Sequence, residues 1–168
     1  YYLSPADYYK FDVDDLFYYS NHKIMKRGSH LFVSDYGMQV NVLSRYGIKN
    51  YAMLDKDYYF LNGDCKDLRY NNIKVINKYY GVSLVTKDSH NIYVAKIHIN
   101  GNYIIGRYST EAEAAVAYNK AVDILEANGL IKNYQKNYID NLSEIEYSKM
   151  YNEIRINKKI KQYRTAPL

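Results

Sequence analysis

From residue 79 onward, apolar and polar positions follow two different periods in succession. YYGVSLV (79–85), NIYVAKIHI (91–99) and NYIIGRY (102–108) are β-rich runs bounded by turn residues. In the second run Tyr93, Ala95, Ile97 and Ile99 fall on one face and Val94, Lys96 and His98 on the other, the two-residue period of a strand with one covered face. Asn100-Gly101 predicts a hairpin between the last two runs, because both residues tolerate positive φ. The period then lengthens. Ala114, Ala117, Tyr118, Ala121, Ile124 and Leu125 recur at helical spacing, Thr110 and Glu113 have the spacing of a capping box, and Gly129 ends the pattern. Small side chains let this helix lie close on the sheet, so Tyr93, Tyr108 and Tyr118 are expected to be at least partly buried between the two.

Flanking segments carry weaker patterns. Asn133 to Asn141 reads as a loop, and a second helix is expected from Ser143, capped with Glu146, through Arg164. It is acidic in its first turn and basic from Arg155 onward, which suits the helix dipole. A helix charged for dipole and solubility is the plain reading; a polyanion-binding arm is the sharper one. Near the start, Asp12 to Tyr19 predicts a short helix with an acidic first turn. Leu31–Ser34 and Met38–Leu43 predict a hairpin turning at Asp35-Tyr36-Gly37. The class is α+β: an N-terminal β-hairpin region, a three-stranded antiparallel sheet packed by one helix, and a basic C-terminal helix.

Composition narrows the chemistry. The 168 residues include 23 Tyr, no Trp, two Pro, eight Gly and 48% apolar residues, enough to bury a core in one ordinary domain or two small ones. Asn, Ile, Lys and Tyr are all encoded by A/T-rich codons, so tyrosine number alone says little about function. Paired tyrosines at 8-9, 18-19, 58-59 and 79-80 cannot all face one ligand from strands, where neighbours alternate sides. No apolar run approaches the ~18 residues of a membrane span, and no basic segment followed by an apolar stretch opens the sequence. With Cys65 as the only cysteine, an internal disulfide and a multi-cysteine zinc cluster are excluded. A soluble, cytoplasmic (intracellular) protein is expected, and a start at Tyr1 rather than Met fits a trimmed chain. Net charge is +5, concentrated as seven Lys/Arg against three Asp/Glu between 61 and 108, and six against three between 143 and 168. A basic stripe of this kind can meet nucleic acid or simply be a solvated surface.

Two motif groups carry a resemblance. Tyr80-Gly81-Val82, Tyr93-Val94-Ala95-Lys96-Ile97, Ile105-Gly106-Arg107-Tyr108 and the string Thr110 to Tyr118 resemble the plant ethylene-response-factor (APETALA-type) DNA-binding domain over about fifty residues. Upstream, Asn62-Gly63-Asp64, Asp67, Arg69 and Asn72-Ile73 look like the core of the HNH homing endonucleases, mobile bacterial and phage enzymes that often carry the same DNA-binding domain. The resemblance implies a degenerate ββα HNH-like region at 1–78, in which Asn72-Ile73 opens the motif helix. It further implies a three-strand-plus-helix domain at 79–130, and the residue pattern adds a loop with a basic helix at 131–168. The motif runs directly into Tyr79, so the two parts are expected to form one rigid body.

Position by position, the resemblance implies an inactive nuclease. The family holds a divalent metal on the scissile phosphate, and a His at the end of its first strand takes the proton from water. Here Tyr59 and Phe60 stand where the His pair is expected, and a phenol with pKa near ~10 is a poor base at neutral pH. No catalytic residue, metal ligand or cofactor is assigned. Asp64 and Asp67 suit turn and cap roles, and Asn77 is a weak candidate for a later ligand. Expected binding residues are Tyr80, Ser83, Val85, Lys87, Lys96, His98, Asn102 and Ile104 on the sheet. Lys74 and Lys78 before it and Arg155, Lys158, Lys159 and Lys161 on the tail complete the set. The expected partner is DNA, bound for regulation or without sequence preference, or else a nucleic-acid-processing protein complex. In the second case the chain would be an inhibitor of a host enzyme, for example an anti-CRISPR protein, that has reused the DNA-binding surface. An active endonuclease with unusual ligands is the remaining alternative.

Overall fold

A computed structural model describes residues 1–165 and divides the chain into two compact units, Tyr1–Lys78 and Tyr79–Leu168. Among the described residues the architecture is α+β, built from small antiparallel sheets and four helices.

In the first unit a short ribbon, β1 (Tyr2–Ser4) and β2 (Asp7–Tyr8), precedes helix α1 (Val13–Asn21). A three-stranded meander follows: β3 (Met25–Arg27), β4 (His30–Asp35) and β5 (Met38–Asn41), in that order in the sheet. The expected turn is present, with Asp35 opposite Met38 and Tyr36 and Gly37 between them at φ 48° and 76°, the pair of positive φ values that a two-residue hairpin needs. The second strand stops earlier than expected. Asn41 accepts the Leu43 N–H at 2.9 Å through its side chain and caps a 3-10 turn over Val42–Tyr46. Strands β6 (Tyr58–Phe60) and β7 (Ile73–Val75) pair antiparallel beyond it. Tyr9, Phe11, Tyr19, Ile24, Leu31, Val33, Val42 and Leu68 form the core. Within it, buried Asp15 on α1 is paired with Arg45, whose guanidinium also lies over the Tyr18 ring at 4.1 Å.

The second unit holds β8 (Val82–Lys87), β9 (His90–His98) and β10 (Asn102–Tyr108) as an antiparallel sheet with β9 in the centre. The β9–β10 hairpin forms, yet neither Asn100 nor Gly101 has positive φ; the primed pair is Asp88-Ser89, at φ 49° and 63°, between β8 and β9. Helix α2 (Glu111–Ala127) begins on a complete Thr110–Glu113 capping box. It ends in a Schellman turn: Leu130 N–H reaches Leu125 O at 3.0 Å and Gly129 sits at φ 91°. Its alanines 114, 115, 117 and 121 are fully buried against Ala95, Ile97, Ile99 and Ile105. Tyr118 is buried and Tyr93 and Tyr108 are half-buried against the same core.

After α2 the chain packs back onto this unit. Asn137 ties it down: its N–H donates to Asn119 Oδ1 at 2.7 Å, and its side-chain amide accepts from Tyr80 N at 2.7 Å and donates to Tyr80 O at 3.1 Å. The expected helix from Ser143 to Arg164 is two helices, α3 (Glu144–Glu153) and α4 (Lys158–Gln162), separated by extended backbone. The separation has a tertiary cause. Asn157 N–H and Nδ2 donate to Ile105 O at 2.8 Å and Ile104 O at 3.1 Å on the free edge of β10. Lys120 Nζ meanwhile donates to Tyr151 O and Ile154 O at the end of α3. Buried Ile156 and Ile160 then seat the break and α4 in the core.

Candidate functional site

The motif loop between β6 and β7 is held by its own polar side chains. Asp67, fully buried, accepts from Arg69 Nε and NH2 at 2.8 and 2.7 Å and from Asn62 Nδ2 at 2.9 Å. Asn72 takes the Asn62 N–H at 2.9 Å and donates to Asp67 O at 2.8 Å, while Asn62 and Asp64 accept the N–H groups of Asp64 and Lys66. The Arg69 guanidinium, assisted by the Arg69 N–H and the Asn62 amide, holds the Asp67 carboxyl far below the usual carboxylate range. Asn62, Asp64, Asp67, Arg69 and Asn72 therefore build the loop. Asn72-Ile73 opens strand β7 rather than a helix, so the ββα expectation is corrected to two strands and a 3-10 turn at Tyr70–Asn72. Beyond β7, Ile76 and Asn77 N–H groups donate to Asp57 O, and the Asn77 side chain donates to Asp57 Oδ1 at 3.0 Å. Asn77 thus closes this strand pair. Phe60 packs on the first core, and Tyr59 lies across from Lys74. Among the described residues no group of three or more His, Cys, Asp and Glu is gathered as a metal site.

The outer face of the second unit's sheet is a different surface. The register places Ser83, Val85 and Lys87 of β8 beside Val94, Ile92 and His90 of β9, while Lys96 and His98 lie beside Ile104 and Asn102 of β10. A bulge at Ile105 then shifts the parity, and Arg107 pairs with Val94 on the same outer face. Strict alternation from Asn102 and Ile104 would turn Arg107 toward the helix. The signal was Gly106, an isolated glycine inside a strand pattern. Ser83, Val85, Lys87, Lys96, His98, Asn102 and Ile104 are the residues expected on this face, and His90, Ile92 and Arg107 join them in the structure.

Tyr80 is a correction. It lies in the turn before β8, its ring packs on the sheet–helix core, and its hydroxyl lies 3.5 Å from Gln135 Oε1. The backbone clamp from Asn137 and the positive φ of Gly81 hold it there, so Tyr80 does not belong to the outer row.

Charge on the outer face is one-sided. Lys87, Lys96 and Arg107 are exposed, the three strands contain no Asp or Glu, and none of the three cations is ion-paired among the described residues. His98 Nδ1 lies 3.2 Å from Asn102 Oδ1. Val85 and half-buried Ile92 and Ile104 lie between the charged positions. The remaining predicted cations are elsewhere. Lys74 and Lys78 belong to the first unit. Arg155 lies along the free edge of β10, where its carbonyl accepts from Tyr108 Oη at 2.7 Å. Lys158, Lys159 and Lys161 ride on α4, which packs against α2, and so belong to the helical layer rather than the outer face.

No family model, no curated protein and no solved structure matches the chain. No helix among the described residues is long and apolar enough to cross a membrane.

Proposed function

We propose that the chain is a nucleic-acid-binding protein that does not cleave its target, and that the outer face of the β8–β9–β10 sheet is its contact surface. The supporting observation is the charge of that face: three unpaired cations, two histidines and no carboxylate in any strand. Each Lys or Arg that neutralises a phosphate releases counterions, and that term supplies most of non-specific affinity. Arg107 adds a planar donor suited to phosphate or to a base edge. What supports the absence of cleavage in this reading is the motif loop, where Asp67 and Asn62 hold the chain together and Phe60 packs against the core. The chain in this reading is a nuclease-dead relative of mobile HNH endonucleases acting inside the cell, where exposed Cys65 stays reduced.

A second reading, a protein-binding inhibitor of a nucleic-acid enzyme, is favoured by one observation. Val13, Leu16 and Phe17 form an exposed apolar stripe on α1, at 68%, 38% and 71% exposure. One experiment separates the two: binding to labelled duplex and single-stranded DNA across a salt series with Mg²⁺ or Mn²⁺, with the products run on a gel. Salt-sensitive binding without cleavage supports the proposal. Cleavage revives the nuclease, and no binding at low salt leaves the protein partner.

A further inference from the structure

Three Asn-Gly steps occur in the chain: Asn62-Gly63, Asn100-Gly101 and Asn128-Gly129. Such a step carries its own reagents. The glycine amide nitrogen can attack the asparagine side-chain carbonyl, and a glycine has no Cβ to obstruct the approach or restrict the backbone. Attack needs a glycine N–H that can give up its proton, a side-chain amide free to turn, and water at the site.

The fold withholds these conditions from two of the three steps. Gly63 N–H donates to Phe60 O at 3.0 Å, Asn62 Oδ1 accepts from Asp64 N at 2.8 Å, and Asn62 Nδ2 donates to Asp67 Oδ2 at 2.9 Å. Gly129 N–H donates to Glu126 O at 3.0 Å, and Asn128 Nδ2 donates to Lys161 O at 3.4 Å. Asn100-Gly101 is different. Asn100 is exposed, Gly101 N–H and Asn100 Nδ2 have no acceptor among the described residues, and the space beside the Gly101 Cα is open. Tyr103 Oη does donate to Asn100 Oδ1, at 3.3 Å. That bond falls on the atom that gains negative charge when the carbonyl is attacked, where a donor assists.

We propose that Asn100-Gly101 is a self-modification site, at which the end of the β9–β10 hairpin converts its own amide into a carboxylate. Water or hydroxide takes the Gly101 N–H proton as the nitrogen bonds to Asn100 Cγ. The Cγ–Nδ2 bond breaks, Nδ2 leaves as ammonia, and a five-membered succinimide closes. Water then opens the ring at either carbonyl and leaves an aspartate or its β-linked isomer. One water is consumed and one ammonia released, with no oxidation or reduction.

The product changes the surface beside it. The hairpin end joins His98 to Asn102 of the outer face, and the strands of that sheet contain no Asp or Glu. A new carboxylate there opposes a polyanion, a consequence that rests on the proposed binding face. One unit charge about 7 Å from a phosphate in water corresponds to an affinity loss of about threefold at low salt.

The test follows the three steps side by side. The full chain is incubated folded in mildly alkaline buffer and, in parallel, unfolded in concentrated urea. Peptides containing each Asn-Gly step are then followed by mass spectrometry for the gain of nearly one mass unit. Each hydrogen bond that must open before attack slows it about fivefold, the equivalent of about 1 kcal/mol. With two or more such bonds at the other steps, Asn100 should convert at least about twenty-fold faster than Asn62 or Asn128 in the folded chain. All three should convert at similar rates in urea. Tyr103→Phe should slow Asn100 about fivefold and leave the other two unchanged. Conversion of Asn100 no faster than that of Asn62 and Asn128 in the folded chain would overturn the site. An unchanged rate in Tyr103→Phe would overturn the part given to its hydroxyl. Asn100→Asp tests the consequence separately: affinity for a labelled duplex about threefold below wild type at low salt supports it. Equal affinity, or no binding by either chain, would overturn the link to the binding face, while the mass measurement decides the modification site by itself.

Discussion

Replacing Gly81 by alanine probes how closely the first strand of the second unit must approach its helix. Gly81 has φ 71°, and a Cβ there would stand 2.2 Å from Tyr118 Cδ2 and 2.4 Å from Lys96 O. Neither neighbour yields cheaply. Tyr118 is buried in the sheet–helix core, and Lys96 belongs to the central strand, with its N–H donating to Gly81 O at 2.7 Å. Left-handed backbone costs an alanine about 1–2 kcal/mol, and overpacking a tight site adds about 1–3 kcal/mol. A loss near 3 kcal/mol in a unit of this size lowers Tm by roughly 12–24 °C. Gly101→Ala is the control, since it has neither positive φ nor any atom within 4 Å of an added Cβ. Thermal unfolding by circular dichroism, with hydrogen exchange of the α2 amides, reports on the unit concerned. Should Gly81→Ala fall within about 1 kcal/mol of Gly101→Ala, the close packing of Tyr118 beneath the Tyr79–Val82 turn is wrong.

Other residues give equally direct tests. Asn137→Ala leaves the Tyr80 N–H and C=O without their side-chain partners and should cost about 1–3 kcal/mol, with faster hydrogen exchange at Tyr80; unchanged exchange there would contradict the clamp. Asp67 is ionised more readily when folded, so its contribution is complete above its unfolded pKa near ~3.9 and is lost as pH falls toward the depressed folded value. Wild-type stability of the first unit should therefore drop steeply below about pH 4, and Asp67→Asn should be less stable at pH 7 with a flatter acid limb. Parallel acid limbs in urea titrations would refute this. Arg107→Gln should reduce the salt slope of DNA binding by about one, whereas Lys158→Gln, on the helical layer, should leave it unchanged.

What was legible in the sequence was local. The capping boxes at Thr110 and Ser143, the alanine face of α2 and the inward row Ala95, Ile97 and Ile99 depend on neighbours a few residues apart, and each is present. What was hidden depends on partners far along the chain. The polar–basic stretch from Ser143 to Arg164 reads as one helix until Asn157 is seen to bind carbonyls some fifty residues earlier. Likewise Tyr80 reads as an outward residue until Asn137 is found holding its backbone. Arg107 lies between these cases: Gly106 announces a bulge, but only the pairing on either side shows which way the arginine turns. The motif of Asn62, Asp67, Arg69 and Asn72 was recognisable by spacing, whereas its role as a hydrogen-bonded brace for the loop follows from geometry alone.

The central claim is that the outer sheet face binds DNA through Lys87, Lys96 and Arg107. Its most direct test is the slope of log affinity against log salt for a labelled duplex, measured for the wild-type chain and for the Lys87→Gln, Lys96→Gln, Arg107→Gln variant. Three phosphate contacts correspond to a slope of about −2.7. The wild type should show at least that dependence, and the variant should lose about that much of it while keeping its fold by circular dichroism. An equal slope in the two proteins would contradict the account and move the contact surface elsewhere.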